Sequence, residues 1–418
     1  MTNAEVTMYE TIRFDATKVI AVAGLALALA AAGPALAQDV KIGALNGMTG
    51  GLAAYSPPIL AGEELAATHV NEQGGILGGR KLVIVAADTQ SIPQGAVDAA
   101  QKLVSVSGVV GITGALASSA TLAVAQSVTI PGKIPQISPA STSPEITKLK
   151  DNDFLYRTTV SDAYQGVVLA QVVKKRGIKK VAMSYINNDY GKGLAASFRD
   201  AYTAAGGIIL GDEPHEENKA SYRAELATLA KGDPEGLVLI AYPDSGGKLI
   251  MRQSLENDFF SLFIMTDGMR QAEVVSDIGA ENLKGSFGTG AESPSDSTAA
   301  QRFDAAYTAA YETTKDKFYI REAYDSVFMM ALAIEKAGST DGTKIRDALR
   351  QICCPPGEPI EPLDWAKAVK LIAAGKDIDY VGAAGSQNFD AAGDVEGTIG
   401  EWEVQPNGDL KVVKIYGQ

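Results

Sequence analysis

Histidine and cysteine, the side chains that most often serve as catalysts or transition-metal ligands, are scarce in this sequence. The 418 residues include two histidines and two cysteines. His69 lies near the end of a predicted helix and His215 lies in the polar loop "EPHEEN", so neither follows a predicted strand. The sequence contains no H-E-x-x-H, G-x-S-x-G or Walker motif. We therefore predict a protein that is not an enzyme and that holds neither a metal nor another cofactor.

The two cysteines, Cys353 and Cys354, are adjacent and precede Pro355 and Pro356 in a predicted loop. They are too few for a structural zinc site, which needs four ligands. A bridge between neighbours closes a strained ring outside ordinary disulfide geometry, and the alternative is a pair of free thiols. The sequence leaves both states open.

Basic residues are also few. Lys and Arg number 37 against 50 Asp and Glu, which gives a formal net charge of −13. The richest basic stretch, "KKRGIKK" at 174–180, is typical of a solvated helix end. A nucleic-acid-binding surface needs a basic patch, so the composition argues against a nucleic-acid partner.

Long apolar runs are limited to one, at 19–32, which is shorter than the roughly 20 residues that span a bilayer. The sequence "ALA" at 35–37 follows it and matches a small-x-small cleavage site. We therefore predict that residues 1–37 are a signal peptide and that the exported protein begins at Gln38. No cysteine stands at the cleavage point, which argues against a lipid anchor.

Strand-like and helix-like segments alternate along the chain, and the alternation starts twice. Strands are predicted at 40–45, 81–89, 109–113 and 134–138, and then at 180–186, 237–242 and 262–267, with helical stretches between them. Such alternation indicates parallel sheets with helices on both faces. Because the chain is also too long for one typical core, we predict an α/β protein with two doubly wound, Rossmann-like lobes.

Ligands bind outside the carboxyl ends of the strands in doubly wound sheets, so the candidate ligand-binding residues lie in the loops that follow them. The first half offers hydroxyl groups and helix starts, which suit an anion. The second half offers two tyrosines and a carboxylate, which suits a cation. This division fits the two charges of an α-amino acid. The candidates are Tyr55, Ser118, Ser119, Ala140, Ser141, Thr142, Tyr190, Tyr242 and Asp267.

Several segments, in order, resemble the periplasmic binding proteins for leucine, isoleucine and valine that serve ATP-driven (ABC) uptake transporters. They include "VKIGALNGMTGGLAAYS", "GALASSAT", "ISPASTSPEIT", "LYRTTVSDAYQG" and "NDYGKGLAASFRDAYTAAGG". The resemblance covers nearly all of residues 38–418. It implies a Venus-flytrap fold, in which three crossovers join two lobes and the ligand lies between them. The expected lobes are 38–158 with 290–387, and 159–289 with 388–418.

The resemblance also implies roles for individual residues. Ser118 matches a residue that binds the ligand carboxylate, and Ala140 matches a backbone carbonyl that accepts from the ammonium group. Thr142 matches a residue that holds the ligand head group. Asp267 matches an acidic residue, more often Glu, that pairs with the ammonium. Three tyrosines match aromatic residues of the cleft, namely Tyr55, Tyr190 and Tyr242.

These observations predict a monomeric periplasmic receptor that captures a branched-chain or other neutral amino acid and delivers it to the membrane permease of an ABC transporter. One alternative is the same fold binding an aromatic or other organic acid. Asp267 argues against it, since an unpaired carboxylate in a closed cleft is costly. Another alternative is a ligand-sensing subunit that docks on a receptor kinase.

Overall fold

The computed structural model describes residues 38–311 and 313–417. The predicted signal peptide, 1–37, lies outside the described residues. The strands of the first sheet are β1 (Val40–Asn46), β2 (Leu82–Asp88), β3 (Gly111–Gly114), β4 (Gln136–Ser138) and β5 (Leu155–Arg157). The later strands are β6 (Lys180–Ile186), β7 (Ile208–His215), β8 (Leu237–Ile240), β9 (Phe263–Met265), β10 (Phe287–Ala291), β11 (Glu358–Ile360), β12 (Ile378–Gly382), β13 (Gly385–Ser386), β14 (Thr398–Val404) and β15 (Leu410–Gly417).

The helices lie between these strands in the alternating order that the sequence predicts. In the first half they are α1 (Ser56–Glu72), α2 (Pro93–Lys102), α3 (Ser118–Val124), α4 (Ile130–Gly132), α5 (Pro144–Lys148), α6 (Asp162–Lys175) and α7 (Asp189–Ala204). In the second half they are α8 (Arg223–Leu229), α9 (Lys248–Glu256), α10 (Ala272–Ile278), α11 (Thr298–Tyr311), α12 (Ile320–Ala337), α13 (Gly342–Ile352) and α14 (Trp365–Ala373).

The first sheet has the strand order β2-β1-β3-β4-β5, and all of its strands are parallel. The interior strand β1, "VKIGALN", is apolar at most positions because helices cover both faces of a parallel sheet. Its residues Val40, Ile42 and Leu45 are at most 1% exposed. The order reverses between β1 and β3, so their carboxyl ends form the switch point of this sheet.

The second sheet repeats the same order. Strands β7-β6-β8-β9-β10 are parallel, and β14 and β15 extend the sheet in antiparallel pairing beyond β10. Its switch point lies between β6 and β8. The predicted α/β fold with two doubly wound lobes is therefore confirmed.

The chain passes between the two sheets three times. It leaves the first sheet after β5, returns after β10 to the helices that pack beneath β1, and joins the second sheet again at β14. Helix α12 is buried along most of its length and packs in one apolar cluster with Val40, Ile42 and Val70 of the first sheet and α1. The exact lobe boundaries stay a prediction. Among the described residues, no helix has the length and apolar character needed to cross a membrane.

The structure corrects one local prediction and decides one question that the sequence leaves open. The pattern of 385–404 predicts two strands around an Asp-Gly turn, but β13 pairs with β12, and the hairpin partner of β14 is β15. Asp390 instead shapes a turn with its own side chain, which accepts from the backbone N–H groups of Ala392 and Asp394. The cysteines, which the sequence leaves open, form a Cys353–Cys354 bridge in the structure.

Candidate functional site

The two switch points face each other across one small cavity. From the first lobe, the loop after β1 and the start of α1 contribute Leu52, Tyr55 and Ile59, and the loop after β3 and the start of α3 contribute Leu116 and Ser118. Tyr190 follows β6 and Tyr242 follows β8, so the second lobe also contributes from its switch point. The remaining lining residues are Ala140, Asp267, Gly268 and Tyr319. Six of the nine sequence-predicted site residues therefore line one cavity.

Asp267 is the acidic group of this cavity. It follows β9, is 7% exposed, and accepts hydrogen bonds from three side chains. Gln165 Nε2 and Tyr190 Oη donate to Oδ1 at 2.9 Å each, and Tyr319 Oη donates to Oδ2 at 2.8 Å. Burial raises the pKa of Asp267, and these hydrogen bonds oppose the rise. None of the ion pairs among residues 38–311 and 313–417 includes Asp267.

Tyrosine rings surround this carboxylate. The rings of Tyr190 and Tyr242 stack at 5.2 Å between centroids, and Tyr319 lies 6.5 Å from Tyr55. Burial raises the pKa of each of the four phenols, and the charge of Asp267 adds to the effect. The phenols therefore stay neutral, and those of Tyr190 and Tyr319 donate hydrogen bonds to the carboxylate.

Contacts between the lobes show that the cleft is closed. Tyr55 Oη donates to the backbone carbonyl of Asp267 at 2.8 Å, and Ser143 Oγ donates to the carbonyl of Asp189 at 2.9 Å. Within the second lobe, Gly268 allows the backbone to pack closely beside the cavity. A Cβ there would lie 2.6 Å from the carbonyl oxygen of Ala241 and 2.8 Å from Tyr190 Oη.

The hydroxyl-rich wall lies opposite. Ser118 is the first residue of α3 and is 1% exposed, and its Oγ accepts from the backbone N–H of Ser143 at 3.2 Å. The first N–H groups of a helix have no acceptor within the helix, so they remain available to an anion. Ala140 lines the cavity beside them. The wall thus offers donors where the opposite lobe offers an acceptor.

Three predicted site residues do not line the cavity. Ser119 lies one position along α3, and Ser141 directs its Oγ to Thr121 and to the carbonyls of Ala115 and Leu116. Thr142 Oγ1 donates to Asp162 Oδ2 at 2.8 Å. In this closed structure, the side chains of Ser141 and Thr142 therefore hold the loop in place.

A buried ion pair fixes that loop from behind. The guanidinium of Arg157 donates from Nε and Nη2 to the two carboxylate oxygens of Asp394, at 2.7 Å each. Its Nη1 donates to the carbonyls of Ser143 at 3.0 Å and Ser141 at 3.4 Å. Arg157 is therefore a positioning residue for the binding loop.

Sequence reasoning missed two neighbours of Asp267. Tyr319 stands just before α12 with a left-handed backbone (φ 63°), a conformation that is rare for a bulky residue and is found at functional sites. Gln165 lies in α6, one turn after Asp162. Neither follows a strand of the sheet, so the strand-end rule did not include them.

A second, larger cavity lies on the other side of Tyr319. Both of its arginine side chains already form ion pairs. Arg270 donates to Glu292 at 2.7 Å, and Arg321 donates to Asp304 at 2.6 Å. The smaller cavity contains Asp267 and lies between both switch points, and it is therefore the candidate ligand site.

Known proteins resemble this chain in sequence and in fold. The model of a family described as periplasmic binding protein matches residues 39–361. The Leu/Ile/Val-binding protein BraC3 of Rhizobium johnstonii is 30% identical over 320 residues, which cover 76% of this chain and 85% of that protein. The structure of LivJ, a branched-chain amino acid transporter substrate-binding protein from Streptococcus pneumoniae, in complex with isoleucine, matches with a TM-score of 0.75 at 26% identity, over 91% of this chain and 100% of that chain.

A solute-binding protein of an ABC transporter from Rhodopseudomonas palustris BisB5, in complex with 3,4-dihydroxybenzoic acid, matches with a TM-score of 0.71 and 20% identity. It covers 91% of this chain and 97% of its own, and it shares the fold.

Two doubly wound sheets, three crossings and a cavity between their switch points define a two-lobed solute receptor. Within that class, the chain belongs to the periplasmic binding proteins of the Leu/Ile/Val-binding family.

Proposed function

We propose that this protein captures a neutral amino acid, of the branched-chain type or similar, in the closed cleft and delivers it to an ABC permease. The observation that carries the proposal is Asp267, a buried carboxylate that faces the cavity and has hydrogen-bond donors but no ion-pair partner among the described residues. An unpaired buried charge is costly, so the site suits a ligand that brings a positive group.

The opposite wall of the cavity suits the carboxylate end of the ligand. The free N–H groups at the start of α3, with Ser118, suit a carboxylate. Between the two polar ends, Leu52, Ile59 and Leu116 provide an apolar surface for a side chain. A zwitterion with a small apolar side chain satisfies all three walls.

The location follows from the same proposal. We expect the exported protein to work in the periplasm as a monomer, after cleavage behind Ala37. N-terminal sequencing of the mature protein should give Gln38 as the first residue. Recovery of the uncleaved N-terminus from the membrane fraction would contradict export as a periplasmic protein.

The ligand class is tested by a thermal-shift screen with neutral amino acids and aromatic acids. A ligand at about one hundred times its Kd stabilises the folded state by roughly 2.7 kcal/mol, which such a screen detects. Calorimetry on Asp267→Asn then tests the role of the charge. Loss of one partner of a buried charge pair costs roughly 2–5 kcal/mol, so amino-acid affinity should fall more than about tenfold.

Asp200→Asn is the matched control, because Asp200 lies in a helix of the same lobe and is exposed. Its affinity should equal that of the unmodified protein. The relative that binds 3,4-dihydroxybenzoic acid makes an organic acid the second candidate. Amino-acid affinity that survives Asp267→Asn, together with tight binding of an aromatic acid, would move that candidate to first place.

A further inference from the structure

Two glycines, one from each sheet's half of the molecule, face the opposite lobe where the cleft is closed. Gly51 lies in the loop after β1, and Gly193 lies in the second turn of α7, the helix that follows β6. Neither residue lines the ligand cavity. Neither has a positive φ, so the backbone at these positions does not itself require glycine. What glycine provides at both positions is the absence of a Cβ atom.

The contact at Gly193 leaves no room for a side chain. A Cβ on this residue would lie 2.7 Å from Pro144 Cδ and 3.1 Å from Ser143 Oγ, both in the first lobe. The proline ring is rigid. The backbone of Ser143 is also fixed, because its N–H donates to Ser118 Oγ and its carbonyl accepts from Arg157. A methyl group on Gly193 is therefore accommodated by separation of the lobes rather than by movement of the loop.

The contact at Gly51 is similar but less severe. A Cβ on Gly51 would overlap Ser245 Oγ and would lie 3.1 Å from Ser245 Cβ and 3.3 Å from Tyr242 Cβ, in the loop after β8 of the second lobe. The hydroxyl group of Ser245 can rotate away, but the two Cβ atoms cannot. The backbone of Ser245 is held in place, because its carbonyl accepts from the N–H of Asn218 at 3.1 Å.

We propose that Gly51 and Gly193 determine how far the two lobes close, so that ligand affinity depends on two positioning residues outside the ligand cavity. The inference rests on the proposed function, in which closure of the cleft captures the amino acid. Affinity for a ligand falls in proportion to the fraction of protein that can reach the binding-competent form. A methyl group at either position opposes the closed form and leaves the open form unchanged. Every ligand that needs the closed cleft should therefore lose the same factor.

Helix α7 also shows why Gly193 is unusual. Glycine inside a helix is less stable than alanine, since it loses more backbone entropy on folding. The closed contact with Pro144 gives a reason for glycine at this position. Gly193→Ala should consequently have two opposite effects. It should favour the helix in the empty, open protein, and it should weaken ligand binding.

Isothermal titration calorimetry with L-leucine, L-valine and L-alanine tests the effect on affinity. Gly193→Ala should lower the affinity for each by about tenfold or more, with factors that agree within about twofold. Gly51→Ala should lower each by at least about threefold, because its neighbour can move in part. Thermal unfolding of the empty Gly193→Ala protein should show a melting temperature no lower than that of the unmodified protein.

Gly132→Ala is the matched control. Gly132 is exposed at the end of α4, its φ is not positive, and a Cβ there would lie 3.5 Å from the nearest side-chain atom. It precedes β4, whereas the cleft lies at the carboxyl ends of the strands. The same chemical change should therefore leave the affinity for all three amino acids unaltered.

A cross-linking assay tests closure without any ligand. Gly51→Cys with Ser245→Cys places one thiol on each lobe, with Cβ atoms 3.1 Å apart in the closed form. Disulfides have Cβ atoms roughly 3.5–4.5 Å apart, so the bridge forms only when the cleft is nearly closed. The native pair is first replaced by Cys353→Ser and Cys354→Ser. With oxidised glutathione as the oxidant, adding Gly193→Ala should slow cross-linking by at least about threefold, and adding Gly132→Ala should not.

The outcomes separate this inference from the proposed function. Unchanged affinity or unchanged cross-linking in Gly193→Ala would overturn the inference and leave amino-acid binding intact. A loss confined to one amino acid would overturn it as well, because it would indicate a direct effect on the ligand cavity. So would a lower melting temperature of the empty variant, which would indicate a role in folding. If the unmodified protein binds none of the three amino acids, the proposed function fails, and the cross-linking rates alone decide the inference.

Discussion

Replacement of Glu63 by Gln should make the protein more stable at neutral and alkaline pH. Glu63 lies on α1 and is fully buried in the first lobe, where it accepts hydrogen bonds from Thr113 and, at 2.7 Å, from Asn46. Burial raises the pKa of Glu63 from its ordinary 4.5 to about 7, although both hydrogen bonds oppose the rise. The folded protein therefore favours the protonated acid.

The sign follows from the direction of the shift. An acid whose pKa is higher in the folded state leaves stability intact below its unfolded pKa, and that stability is lost as pH rises through the folded value. The window for Glu63 is therefore about pH 4.5 to about 7. At about 1.4 kcal/mol per pKa unit, the full cost above this window is about 3 kcal/mol. The amide introduced by Glu63→Gln would carry no charge and would avoid that cost.

Glutamine also suits the local hydrogen bonds. Asn46 Oδ1 is buried without a hydrogen-bond partner among the described residues, so rotation of the Asn46 amide offers an acceptor for the new N–H group. Urea unfolding of both proteins at intervals from about pH 4.5 to about pH 8.5 gives the stability difference. The advantage of Glu63→Gln should grow from near zero to about 3 kcal/mol across this range.

Glu72→Gln is the matched control, since Glu72 ends the same helix and is exposed. Its stability should stay within about 0.5 kcal/mol of the unmodified protein at every pH. Parallel pH profiles for Glu63→Gln and the unmodified protein would refute the reasoning, because they would show that Glu63 is ionised to the same extent in the folded and unfolded chains.

Three further changes have defined outcomes. Arg157→Met leaves Asp394 buried without its partner and should lower the free energy of unfolding, measured in urea, by about 3–5 kcal/mol. A loss of less than about 1 kcal/mol would contradict the buried ion pair. Replacing Cys353 and Cys354 by Ser should leave ligand affinity within about 1 kcal/mol by calorimetry, because the pair lies outside the lining of the cleft. Tyr319→Phe removes one hydrogen bond to the carboxylate and should weaken amino-acid binding by roughly 1.5–3 kcal/mol; unchanged affinity would exclude that contact from the complex.

Much of the fold could be predicted because the strands are short apolar runs with helices between them. The restart of this pattern near residue 180 predicted two sheets, and both have the same strand order. The strand-end rule then brought Ser118, Tyr190 and Asp267 to one cavity, although 149 positions separate the first from the last. This part of the site depends only on topology, which the sequence pattern carries.

The residues that were missed depend on contacts between distant elements. Tyr319 belongs to the chain that returns to the first lobe, yet its hydroxyl group reaches Asp267 in the second. The sequence pattern places Asp162 in an extended segment, whereas it begins a helix capped by Ser161. A local pattern indicates a helix start, but it does not indicate that Gln165, one turn later, contacts Asp267.

The turn at Asp390 shows why the incorrect hairpin prediction has functional consequences. A hairpin at this place would have left Asp394 on a strand facing solvent or core. The turn instead presents Asp394 to Arg157, and Arg157 holds the carbonyls of Ser141 and Ser143. One buried ion pair therefore links the last crossing between the lobes to the loop beside the ligand cavity. Because the pair cannot be broken cheaply, this loop and this crossing must move together when the lobes open.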